Sequence, residues 1–159
     1  MKVLSDFHAG DRWTTVGRTV TEAHIVGFSG LTGDFYPLHT DEDYARTTEF
    51  GTRIAQGPLI FSIAVGLVSQ SEVFGGAVLA YLGASDIRHL RPCPIDTTIR
   101  VRVGVISTRP GRHADRGLCV LEYVVLDSDD LTLMTAQLTF LMRAELAQPV
   151  TAKRNGVRA

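Results

Sequence analysis

Two side chains in this sequence have the types and spacing for proton transfer. They are Asp34 and His39, in the run Phe-Ser-Gly-Leu-Thr-Gly-Asp-Phe-Tyr-Pro-Leu-His-Thr-Asp. A carboxylate and an imidazole held close can carry protons to and from a bound water, and histidine's ordinary pKa leaves it available as a base near neutral pH. Gly33 gives the backbone room to bend just before Asp34, while Pro37 fixes its own φ and pushes Tyr36 toward an extended conformation. The tract between the pair is therefore stiff and non-helical. Thr40 followed by Asp43 reads as a capping box, which puts His39 at the positive end of a short helix over residues 41–47. That end disfavours imidazolium, while Asp41, Glu42 and Asp43 pull the other way. The structural alternative is that Asp34 bonds turn amides and His39 packs at a helix entrance.

A second chemical feature is Gln56-Gly57-Pro58. Pro58 suits the first turn of a helix, and Gly57 just ahead of it keeps a free N–H at the positive end. Such an amide can hold an oxyanion, or Gly57 can be simply a small residue at a tight entrance.

The elements that must position these groups are one domain's worth of chain. A chain of 159 residues, 45% hydrophobic and 21% charged, fills one core and is too short for two ordinary domains. A formal charge of −1 gives no reason to invoke nucleic acid or a membrane surface as partner, so the expected ligand is small. Cys93 and Cys119 are too few for a disulfide framework, no His or Cys spacing would hold a metal, and the first ten residues lack an apolar leader core. The expected compartment is cytoplasmic.

In order, residues 16–20 read as a first strand. Thr21 caps a helix that buries Ala23, Val26 and Phe28 and stops near 30–33. Arg53, in an irregular crossing, is either solvated or opposite a substrate phosphate. Leu59 to Val68 is apolar on nearly every side, as in a core helix buried all round, and is too short to span a bilayer. Within it, Ser62 is expected to bond a carbonyl one turn back. Strands are expected over 78–89, 98–108, 117–127 and 131–144, with a tight turn at 127–130. Arg88, Arg91, Arg100 and Arg102 should face solvent or a partner, Trp13 should pack, and His8, His24, His89 and His113 read as structural or exposed. A domain over 1–147 is followed by a polar tail at 148–159. A sheet wrapped round one buried helix, an α+β hot-dog arrangement, covers both apolar surfaces economically.

On the Asp-x4-His run, the following Ala-Arg-Thr-Thr-Glu-Phe-Gly and the Ile-Ala-Gln-Gly-Pro-Leu segment, the sequence resembles the MaoC-like dehydratase family, which includes the R-specific enoyl-CoA hydratases. The resemblance implies hydration of a trans-2-enoyl-CoA to an (R)-3-hydroxyacyl-CoA, or the reverse, without cofactor or metal. It assigns Asp34 and His39 as the acid/base pair and Gly57 as the donor to the thioester oxygen, with Tyr36, Leu38 and Gln56 beside the substrate. It also implies at least a homodimer. Two positions depart from the family pattern: Tyr36 stands where Asn is usual and Gln56 where His is usual, which bears on substrate class. A hot-dog thioesterase, or a silent acyl-CoA binder or partner subunit, are the competing readings.

Overall fold

A computed structural model describes residues 1–144. The expected end of the domain at 147 and the polar tail at 148–159 lie outside the described residues. The sheet is antiparallel and holds β1 (Arg12–Thr14), β2 (Arg18–Thr19), β3 (Val78–His89), β4 (Thr98–Pro110), β5 (Arg116–Leu126) and β6 (Thr132–Arg143). Its order is β1-β4-β5-β6-β3, with β2 also on β4. The helices are α1 (Glu22–Thr32), α2 (Pro37–Thr40), α3 (Glu42–Arg46) and α4 (Gly57–Gln70).

The four long strands form where the sequence alternates. Ile99, Val101, Val103 and Val105 of β4, with Cys119, Leu121, Tyr123 and Val125 of β5, point inward and are buried. Residues between them point outward, the period-2 pattern of a sheet with one covered face. Register shifts interrupt the β3–β6 pairing at three places, and Gly83 within one of them has φ +155°. Bulges bend a strand, so β3 curls as it passes the helix.

The helix in that curl is α4, whose Leu59, Ile60, Ile63, Ala64, Leu67 and Val68 are buried. It is not buried all round as expected from its composition. Phe61, Val65 and Gly66 are half-buried and Ser62 is exposed, because the sheet covers one side of the helix and leaves a stripe open. Ser62 donates to the Pro58 carbonyl at 2.8 Å, the one-turn-back bond expected of it.

Two expectations about the first third of the chain are corrected. The first strand is two short pieces, of which Arg12–Thr14 was not anticipated; three residues are too few to show a period. In α1 the buried residues are Ile25 and Ser29, whereas Ala23 and Val26 are exposed and Phe28 is half-buried. The i, i+4 pair of Ile25 and Ser29 sets the inward stripe, and Val26 lies off it. No helix among the described residues is long and apolar enough to cross a membrane.

Candidate active site

Thr21 starts α1, its N–H donating to His24 Nδ1 at 3.0 Å. Gly33 ends α1 in the left-handed region at φ +79°, its N–H donating to Ser29 O at 2.8 Å, which is the helix stop that glycine supplies without strain. Tyr36 is extended, as a residue before proline must be, and Pro37 takes the first position of α2. Asp41 then caps α3 by accepting from Tyr44 N at 3.0 Å.

The expected capping box at Thr40 is therefore corrected. Proline opens a turn of its own, and the carboxylate of Asp41 does the capping; the Thr40 hydroxyl turns back toward the Phe35 and Tyr36 carbonyls. His39 sits in the last turn of α2 rather than at the positive end of the next helix.

The orientation of His39 comes from another source. Its Nδ1 lies 2.7 Å from the Ile54 carbonyl oxygen. A carbonyl only accepts, so Nδ1 carries the proton, and in the neutral ring Nε2 is the unprotonated nitrogen. Ile54 is itself fixed by a bridge to Pro94, and Ala55 N donates to Cys93 O at 2.8 Å.

Arg53 is neither solvated nor available to a phosphate, and that expectation is corrected too. Its guanidinium forks onto Glu22 at 2.8 and 2.7 Å and its Nε meets Glu42 at 3.3 Å. These bonds clamp the start of α1, α3 and the crossing chain together. They hold both carboxyls below their ordinary pKa, chiefly through hydrogen bonds from Arg53.

Gln56, fully buried, ties α1 to the entrance of α4. Its Nε2 donates to Ser29 Oγ at 2.9 Å, while Oε1 has no partner among the described residues. The next residue, Gly57, opens α4, and the amides of a helix's first turn have no intrahelical acceptor.

His39 and Gly57 line one cavity of about 320 Å³, together with Phe50, Ile54, Ile60 and His89. Of the other residues expected at the site, Asp34, Tyr36, Leu38 and Gln56 do not line it. Asp34 is half-buried and its carboxylate accepts from Tyr36 N at 3.4 Å. The Tyr36 ring meets the His39 ring edge-on at 6.1 Å, and its hydroxyl is 3.1 Å from that of Tyr44.

His89 is exposed, as expected, but its place at the cavity is not legible in the sequence. A Cβ at Gly57 would come within 2.9 Å of His89 Nε2, so the ring lies directly against the glycine. Burial lowers its pKa, which favours the neutral ring. The absent side chain at Gly57 makes room for an imidazole from the far end of β3, and no local pattern announces that. Cys93 also reaches the cavity, with its thiol pushed up to about 11 by burial, so it is no thiolate nucleophile. Among the described residues no group of three or more His, Cys, Asp or Glu is placed to hold a metal.

A strongly curved antiparallel sheet around one apolar helix, with a cavity at that helix's N-terminus, defines a hot-dog protein. Residues 7–120 match the family described as MaoC like domain, and the chain belongs to it. It is 30% identical over 145 residues to 3-hydroxybutyryl-CoA dehydratase of Methylorubrum extorquens, covering 89% of this chain and 86% of that one. It is 30% identical over 122 residues to (R)-specific enoyl-CoA hydratase of Rhodospirillum rubrum, covering 76% and 83%. It is 35% identical over 102 residues, 64% of this chain, to Protein MaoC of Klebsiella aerogenes, and it spans only 30% of that protein's length. The solved structure of a monoamine oxidase regulatory protein from Archaeoglobus superposes with a TM-score of 0.85 at 34% identity, covering 91% of this chain and 96% of that one.

Proposed function

We propose that the protein catalyses the reversible addition of water to a trans-2-enoyl-CoA, giving an (R)-3-hydroxyacyl-CoA. The observation that carries this reading is the pairing of His39, whose Nδ1 is engaged by Ile54 O, with Gly57 at the N-terminus of α4, in one cavity. The free Nε2 of His39 takes a proton from water as the water oxygen bonds to C3. Charge then builds on the thioester oxygen, where the Gly57 N–H and the end of the helix stabilise it. In this reading the Asp34 carboxyl, which lies outside the cavity lining and accepts from Tyr36 N, has to turn toward His39 to deliver a proton to C2 and regain one from His39; the cycle then consumes one water and needs no cofactor or metal. Phe50 and Ile60, which do line the cavity, shape the acyl side, Tyr36 bears on it only through its edge-on contact with the His39 ring, and Gln56 sets the angle at which α4 presents Gly57.

The working unit in this reading is a homodimer. β3 is the last strand of the sheet, bonded on one side to β6, and Leu79, Tyr81 and Leu82 on it are exposed. An edge of that kind pairs readily with a second copy. Light scattering behind size exclusion measures this, with twice the chain mass expected.

The test of function is a panel of enoyl-CoA thioesters, short, long, branched and dicarboxylic, followed by loss of the conjugated double bond and, in parallel, by free thiol. Loss of conjugation without thiol release supports hydration. Thiol release makes the protein a thioesterase, and binding without turnover makes it a silent binder.

A further inference from the structure

The outer face of the sheet, away from α4, carries a group of arginines that have no carboxylate partner among the described residues. Arg12, Arg91 and Arg102 border a groove of about 560 Å³ floored by Gly104, Val124 and Thr135. Strand register builds it. Arg12 stands opposite Gly104 and Gly104 opposite Glu122, so a residue without a side chain leaves a trough between two long ones. In the next row Arg102 stands opposite Val124, and Val124 opposite Thr135.

Arg46, Arg53, Arg100 and Arg116 each sit against a carboxylate. Among the described residues, Arg12, Arg91 and Arg102 form no such pair. Arg91 spends one N–H on the Thr132 carbonyl at 2.7 Å, which steadies the guanidinium and leaves its other donors free. Among the described residues Glu122 is the one carboxylate lining the groove, so that lining is net positive in a chain whose formal charge is −1.

The groove also adjoins the cavity, because Leu90 and Arg91 line both. The two depressions meet across this two-residue lip where β3 ends. Building on the proposed function, we infer that the groove is the subsite for the phosphate groups of the CoA carrier. The pantetheine arm crosses Leu90 and Arg91 and delivers the thioester to Gly57. Guanidinium forks match phosphate oxygens bidentately, which suits arginine to this task. Glu122 opposes the bound anion and weakens its hold.

The experiment compares kcat/KM for an enoyl-CoA with kcat/KM for the same acyl group on N-acetylcysteamine, which has the thioester and no phosphate. In the double variant Arg12→Gln/Arg102→Gln the ratio should fall about tenfold or more, through KM of the CoA ester, as expected for lost charge-assisted bonds. Added salt should erode the wild-type ratio in the same direction. Glu122→Gln should raise it, which a merely structural role for these residues would not do. An unchanged ratio in the double variant, or a lower one in Glu122→Gln, overturns the subsite. So does a defect confined to substrate on an acidic carrier protein, which would make the groove a protein-docking surface.

If the wild type turns over neither thioester, the proposed function fails by itself and the groove is read without activity. Calorimetric titration with adenosine 3′,5′-bisphosphate should then show binding that the double variant weakens. No binding, or equal binding by both proteins, overturns the inference.

Discussion

The stretch from Glu22 to Gly57 and the body formed by α4 and the sheet are held by different physics. In the body, apolar side chains from α4, β4, β5 and β6 close on one another, and the strands add their ladders. In the stretch, short helices are fastened by individual polar contacts: Arg53 on Glu22 and Glu42, Gln56 on Ser29, and His39 on Ile54 O. Apolar packing is non-directional and tolerates small shifts in where a group ends up, whereas a hydrogen bond fixes a nitrogen to within a fraction of an ångström. The body therefore supplies stability, and the polar bracket supplies the placement on which proton transfer depends.

The strongest way to separate the two is to remove the base. His39→Gln should lower kcat/KM for hydration about 10²- to 10⁴-fold, the usual worth of a positioned general base. Its thermal midpoint should stay close to wild type, because what is lost is one contact to Ile54 O in a half-exposed segment. Asp34→Asn should behave alike. A variant retaining most of its activity would remove His39 from the chemistry.

The converse change is in the body. Leu67→Ala, at a residue 2% exposed inside α4, should cost about 2–5 kcal/mol of stability, measured by denaturant unfolding. KM at a temperature where the variant remains folded should be close to wild type. A large rise in KM would show that packing places the site after all.

Between these extremes lies Arg53→Met, which keeps the stem and removes the clamp. Activity should fall about tenfold from misplacement of the bracket, with a smaller drop in thermal midpoint than Leu67→Ala gives. The pH dependence has a definite sign. Arg53 holds Glu22 and Glu42 below their ordinary value of 4.5, so the unfolded chain takes protons first as pH falls. Their contribution is present above 4.5 and is lost as pH drops through the lowered folded values. Thermal midpoints between pH 6 and 3 should show a shallower acid decline in Arg53→Met than in wild type.

The same division decides what was legible in the sequence. The four long strands and α4 appear at nearly their observed limits, because periodicity and turn residues are local and the body reads them as written. The glycine stop at Gly33 and the extended Tyr36 before Pro37 are also local, and both are observed. The Arg53 clamp is not legible locally, because Glu22 is 31 residues away from it and nothing nearby says that α1 will swing back to meet it. The cap falls on Asp41 rather than the expected Thr40, since two good capping residues in succession differ only in which one the preceding turn leaves free. The role of His89 is equally hidden, because a histidine at a strand end looks like any exposed residue, which it is, until the curl of β3 also lays its ring on Gly57.

His89 provides the smallest and most discriminating test, because it belongs to the body yet faces the same cavity as His39. Burial lowers its pKa from the ordinary 6.5, so as pH falls the unfolded chain is protonated first. The stability that His89 contributes is complete above 6.5 and declines as pH falls toward the lowered folded value. Replacing it by Phe keeps a flat ring against Gly57 and removes the titration. The difference in thermal midpoint between pH 8 and pH 5.5 should therefore be smaller in His89→Phe than in wild type. The other titratable and charged groups lining the cavity, His39, Cys93 and Arg91, are untouched by this exchange. An unaltered difference would mean that the ring is as freely hydrated when folded as when unfolded, and that Gly57 stays small for another reason.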